Sequence, residues 1–200
     1  MPGDDISDVI AATGVWEPEL SERLIELSRE GGTLVEVGAN IGYFTVLWAA
    51  QGPGSRVIAV EPSWRNLELL GWNITRYGLL SRVDLRPIAA GRALEIAHFT
   101  PGPAERTGWG GIANDGRAGT VTVVVAPLDG LLPRYRDIAV LKIVVQGADT
   151  LVPEGWRRLL ETRRIGRVFV NRTSRAWLSS ASRPARPTHC CKPAAGDGCQ

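Results

Sequence analysis

Cysteine is missing from the first 189 residues of this 200-residue chain; all three, Cys190, Cys191 and Cys199, lie at its end. That excludes a disulfide framework for the body, and the spacing fits no Cys-x-x-Cys metal knuckle. No apolar run reaches the roughly 18 residues of a membrane helix. The net charge of +2 is too small for a field that draws nucleic acid or an anionic membrane surface. The acidic start, Met1-Pro2-Gly3-Asp4-Asp5, lacks a signal-peptide pattern, so a cytoplasmic location is the expectation. There is no internal repeat. What remains is an ordinary globular composition, 44% hydrophobic and 22% charged, in a length that suits one domain with a real core. Charge is uneven: Arg172, Arg175, Arg183, Arg186 and Lys192 against Asp197 make residues 172–200 +4, leaving −2 for the rest.

Periodicity divides the chain into alternating strands and helices. Asp5-Ile6-Ser7-Asp8 opens one short helix and Glu17-Pro18 another, the latter carrying Leu20, Leu24, Ile25 and Leu27 at helical spacing. Strands are expected at 33–37, 56–60 and 83–87, with helices over 43–50 and 66–77 between them. Strand–helix–strand–helix–strand predicts a parallel sheet with right-handed crossovers. Further strands are expected at 96–100, 120–125, 138–145 and 167–170, and a short helix at 156–162. Residues 101–119, rich in glycine, read as a mobile loop. After Trp177 the periodicity stops, and 179–200 reads as disordered.

The most informative stretch is Leu34-Val35-Glu36-Val37-Gly38-Ala39-Asn40-Ile41-Gly42-Tyr43-Phe44-Thr45, a buried strand entering a helix through a glycine turn. Glycines let a ligand approach the backbone, and a helix start offers free N–H groups. The spacing is not the Gly-x-Gly-x-x-Gly of a nicotinamide site. Glu36 would repel a pyrophosphate but attract a cofactor carrying an amine and a sulfonium, which points to S-adenosylmethionine. The plain alternative is a tight turn without a ligand. Glu61 ends the second strand, where a doubly wound sheet turns it toward the same crevice, and its carboxylate can accept hydrogen bonds from a ribose diol. The alternative is a surface acid before Pro62.

Together, Glu36-Val-Gly-Ala-Asn-Ile-Gly-Tyr-Phe-Thr45, Val60-Glu61-Pro62, the Asn66…Asn73 helix, Leu128-Asp129 and Leu141-Lys142-Ile143-Val144-Val145-Gln146-Gly147-Ala148-Asp149 resemble the FkbM family of S-adenosylmethionine-dependent methyltransferases, and Gly14-Val15-Trp16-Glu17-Pro18 also matches. The resemblance runs from about residue 5 to 165. It implies an α/β fold: a Rossmann-like, doubly wound, mostly parallel sheet of seven strands in three α/β/α layers. It also implies methyl transfer to a hydroxyl of a small molecule, a secondary metabolite or sugar. By that match Glu36, Gly38, Ala39, Asn40 and Gly42 hold the methionine end, Glu61 the ribose, and Ile88-Ala89-Ala90 flank the adenine. The expected organisation is a helical cap over 1–32, a methyltransferase-like domain over 33–171 and a basic tail over 172–200.

The chain departs from the family twice. The fourth-strand motif of the resemblance is Lys-Ile-Asp-Val-Glu-Gly, whereas here Val144 replaces the Asp and Gln146 the Glu. Valine cannot orient a hydroxyl or act as a base, which keeps open a second reading: a degenerate homologue that binds cofactor or a partner without turnover. The antiparallel hairpin that completes the family's sheet is also expected to be missing, leaving an exposed edge. A homo-oligomer covering that edge, a tail from a shifted reading frame, and a marginally folded chain are the three explanations. Lys142, His98 and Asp129 are the candidate catalytic side chains, each with a structural alternative. Trp109 and Asn114 lie in a segment that could close over a substrate, while Trp16, Trp48 and Trp72 are expected in the core. Arg157, Arg158, Arg163 and Arg164 read as a solvated face rather than an RNA site. The expected partner is a small-molecule acceptor, with no metal, nucleic acid or membrane.

Overall fold

Two helices, Asp5–Thr13 (α1) and Pro18–Ser28 (α2), lead into Gly32–Val37 (β1) in a computed structural model of the chain. There follow Tyr43–Ala49 (α3), Ser55–Val60 (β2), Trp64–Arg76 (α4), Val83–Arg86 (β3), Ala89–Ala90 (β4), Glu95–Thr100 (β5), Gly111–Ala113 (β6), Val121–Ala126 (β7), Leu128–Leu131 (α5), Ile138–Ile143 (β8), Arg157–Glu161 (α6), Ile165–Arg172 (β9) and Ala176–Ala181 (β10). The structure describes residues 3–113, 115–116, 118–132, 138–144, 153–161, 165–172 and 176–181. Asn114, Val145, Gln146, Arg163, Arg164, His189 and the three cysteines lie outside them.

Six strands form the main sheet in the order β10-β9-β8-β1-β2-β3, and β4-β7-β5-β6 form a smaller one. All neighbours in the main sheet run parallel except β9 and β10. After β3 the chain returns to the other side of β1, so the order reverses between β1 and β8. A crevice opens at such a point beyond the strand ends. Both faces of the sheet are covered, as the apolar runs require. On one, Leu34, Val57, Ala59 and Val140 pack under Leu20 and Leu24 of α2, Phe44 and Trp48 of α3, and Leu70 and Ile74 of α4. On the other, Val35, Val37, Ile58, Val60, Leu141 and Ile143 pack against Leu128, Leu132, Trp156 and Leu159.

Two expectations need correcting. The sheet does not stop at a bare β9. Residues Ala176–Ala181 run antiparallel along it, from Ala176↔Arg172 to Ala181↔Arg167, inside the segment read as a tail. Ladder hydrogen bonds use backbone alone, so Leu178-Ser179-Ser180-Ala181 can pair without the apolar alternation that reveals a strand. β9 is therefore paired on both sides, and β10 takes its place as the edge strand. Trp72 is not core: it is 58% exposed, with the Arg76 guanidinium 5.2 Å over its ring. Helix α4 buries Asn66, Leu70 and Ile74, one turn apart, and this turns Trp64 and Trp72 to solvent.

Candidate functional site

A cavity of about 250 Å³ opens where β1, β2 and β8 end. Residues 38–41 of the glycine turn form one wall. Gly38 and Ala39 donate their N–H groups to Val60 O at 2.9 and 3.1 Å, stitching the turn to β2. Asn40 has φ 52°, a left-handed conformation that asparagine tolerates better than most residues. Its Oδ1 accepts the next N–H, from Ile41, at 2.6 Å. Gly42 follows at φ 89° and caps α3. From α4, Asn73 Nδ2 donates to Ile41 O at 2.8 Å.

Glu61 sits beside the turn, 4% exposed. Its Oε2 accepts Asn40 N–H at 2.8 Å, and its Oε1 accepts Ser63 N–H at 2.9 Å and Asn66 Nδ2 at 3.2 Å. A carboxylate offers about four acceptor positions, so the protein takes three and Oε2 keeps one. Burial raises the Glu61 pKa above the ordinary carboxylate value and the nearby Glu36 charge adds to it, the three donors notwithstanding. A buried carboxylate with acceptor capacity left beside a glycine turn suits a hydroxyl donor.

Glu36 and Lys142 face each other in register on β1 and β8. Lys142 Nζ donates to Glu36 Oε1 at 3.0 Å, with the two side chains 3% and 1% exposed. Thr45 Oγ1 donates to the other oxygen, Oε2, at 2.6 Å. The lysine ammonium also lies 4.6 Å from the Phe44 ring centroid. The charge that made Glu36 attractive for a cationic cofactor is thus already matched from within the sheet.

A third carboxylate lines the cavity. Glu17 has φ 45°, unusual for a glutamate, and precedes α2 without capping it through its side chain. Its Oε2 is buried and has no hydrogen-bond partner among the described residues. Burial is the main influence on its pKa and raises it; Lys142 pulls it down and Glu36 pushes it up.

The roof comes from far away in sequence. Asp4 caps α1, accepting Ser7 N–H at 3.0 Å and Ser7 Oγ at 2.9 Å on Oδ2. On Oδ1 it accepts Thr107 N–H at 3.0 Å and Thr107 Oγ1 at 2.8 Å. Burial alone would raise the Asp4 pKa, but these four donors outweigh it and hold the carboxyl below its usual value. Thr107 O in turn accepts from Asn66 Nδ2 at 3.3 Å, and Arg106 stacks 4.2 Å from the exposed Trp109 ring. The segment read as a mobile loop is therefore pinned over the site at Thr107, with Gly108, Trp109 and Ile112 lining the cavity.

Of the residues singled out in the sequence, Glu36, Gly38, Ala39, Asn40, Glu61, Ala89, Lys142 and Val144 line one cavity; Gly42 does not, its Cα facing Leu70 of α4 instead. His98 and Asp129 do not reach it. His98 lies exposed on β5 of the smaller sheet, against Gly116. Asp129 accepts the N–H groups of Arg158 and Leu159 at 3.0 and 2.9 Å, holding the start of α6. The Asp4–Thr107 contact, spanning 103 residues, and the unmatched oxygen of Glu17 have no local sequence signal. Among the described residues no cluster of acids, histidines or cysteines could hold a metal, and no helix is long and apolar enough to cross a membrane.

A parallel doubly wound sheet with a glycine turn and a buried acid at its reversal point defines a Rossmann-like fold. Residues 36–179 match the methyltransferase FkbM domain. The chain belongs to the FkbM methyltransferase family. Among solved structures it is similar to the FkbM methyltransferase of Methylobacillus flagellatus, with 19% identity and a TM-score of 0.52 over 70% of this chain and 32% of that one. It therefore spans about a third of that protein's length. It is also similar to an O-methyltransferase from Bacillus cereus in complex with SAH, with 20% identity and a TM-score of 0.49 over 83% of this chain and 63% of that one. No curated protein matches.

Proposed function

We propose that this chain uses S-adenosylmethionine to methylate a hydroxyl of a small molecule. The carrying observation is the cavity that joins the glycine turn, the spare acceptor on Glu61 and the small Ala89-Ala90 wall. In that reading Glu61 Oε2 takes a ribose hydroxyl, Ile88 and Ala89 flank the base, and the turn 38–42 leaves room for the methionine end. The cofactor supplies an electrophilic methyl on sulfonium. The protein's contribution is to exclude water, through the roof pinned at Thr107, and to hold the acceptor oxygen in line, an effect of positioning. A cavity of this size under a folded-down roof favours a small acceptor over a macromolecule.

Among the described residues no carboxylate stands at the end of β8. Val144 lines the cavity there, its N–H donating to Val37 O at 2.9 Å. This observation favours the second reading, a homologue that binds the cofactor without turnover. The two are separated by incubating the chain and its Val144→Asp variant with methyl-labelled S-adenosylmethionine and a panel of small alcohols, phenols and sugars. Methylated product from the unaltered chain supports the first reading. Product from Val144→Asp alone supports the second.

A further inference from the structure

Among the described residues six charged side chains line the cavity, and five are engaged by the protein. Asp5 and Arg106 pair at the rim, Nε to Oδ2, at 3.4 Å. Glu36 and Lys142 neutralise each other on the floor, and Thr45 occupies the remaining Glu36 oxygen. Glu61 is held by three donors. Of the six, Glu17 alone presents a buried carboxylate oxygen with no partner among the described residues. Burying such an atom is costly unless something satisfies it, and its backbone adopts a conformation that glutamate seldom takes. Two costs at one cavity-lining residue are what an enzyme tolerates where a bound ligand offsets them. Counting formal charges, the four acids and two bases leave the lining at −2, so the ligand group that offsets them is a cation.

We infer that Glu17 is the carboxylate that receives the ammonium of an α-amino-acid-bearing nucleoside, in the place that Glu36 would take if Lys142 did not already hold it. The inference rests on the proposed cofactor. It assigns the cation-binding role to a residue before β1 rather than to the acid of the glycine motif. Glu17 Oε2 accepts an ammonium N–H, while the Glu36–Lys142 pair stays intact as a neutral floor.

The test compares two probes on the full chain by calorimetry. S-adenosylhomocysteine carries the amino-acid end; 5′-methylthioadenosine has the same base, ribose and thioether without it. Glu17→Gln should weaken S-adenosylhomocysteine about tenfold or more, the loss of one charge-assisted hydrogen bond, and leave 5′-methylthioadenosine within about twofold. The ligand-free melting temperature should hold or rise, because an unsatisfied buried charge is gone. Glu17→Asn, which tolerates the left-handed backbone, serves as the second variant if the glutamine form does not fold. Unchanged S-adenosylhomocysteine affinity, or equal weakening of both probes, overturns the assignment while sparing the cofactor. A folded unaltered chain that binds neither probe overturns both.

Discussion

Lys142→Met is expected to lower the unfolding free energy by about 3–5 kcal/mol, the cost of leaving one member of a buried ion pair alone. Against a typical total of about 5–15 kcal/mol this removes much of the margin. The magnitude follows from burial: the pair is 3% and 1% exposed, so water cannot replace the lost partner. A surface pair would contribute about 0–1 kcal/mol. The double variant Lys142→Met with Glu36→Gln should recover most of the loss, since a glutamine oxygen can still accept from Thr45 and no bare charge remains. Urea denaturation of the three proteins measures this. A single-variant loss under about 1 kcal/mol would mean that Glu36 is solvated or protonated and that the floor of the cavity is not the ion pair described.

Gly42→Ala is the second large effect. At φ 89° a Cβ is strained, by about 1–2 kcal/mol. It would also run into Leu70 Cδ1, with Leu70 Cγ at 3.5 Å and Cα at 3.6 Å. Leu70 is fully buried, so its side chain cannot simply swing away, and overpacking adds about 1–3 kcal/mol. The expected loss is about 2–5 kcal/mol. Cofactor binding should fall with it, because Gly42 cannot move without the Asn40-Ile41 turn. Gly71→Ala gives the opposite sign. Gly71 lies inside α4, and a methyl placed on its Cα would meet nothing within 4 Å. Alanine there should stabilise by about 0.5–1 kcal/mol. Thermal melts of both variants decide it; a neutral Gly42→Ala would contradict the tight turn.

These two sites show what kind of information the linear sequence carries. Gly38-Ala39-Asn40-Ile41-Gly42 is legible because a strand-to-helix turn with left-handed residues admits few amino acids, and they are adjacent. Glu61 is legible because the fold places every parallel strand's end at one edge. The Glu36–Lys142 pair is harder. Both residues stand out singly, but only the register of β1 on β8 puts Glu36 opposite Lys142 and cancels the charge that makes Glu36 read as a cation receptor. The Asp4–Thr107 contact is illegible: neither residue belongs to a motif, and the segment between Pro101 and Gly119 has the glycine content of a free loop. His98 and Asp129 mislead for a related reason. Residue type and a position near a strand end nominate them, but β5 belongs to the smaller sheet and Asp129 is engaged in holding α6. Strand β10 escapes notice because its pairing rests on backbone.

The central claim is that this cavity is a site for S-adenosylmethionine, and calorimetric titration of that compound into the folded chain tests it most directly. Saturable one-to-one binding is expected, lost or greatly weakened in Glu61→Ala, with no comparable heat from NAD. A chain that melts cooperatively yet takes up no S-adenosylmethionine at millimolar ligand, or that binds it equally well without the Glu61 carboxylate, would contradict the account.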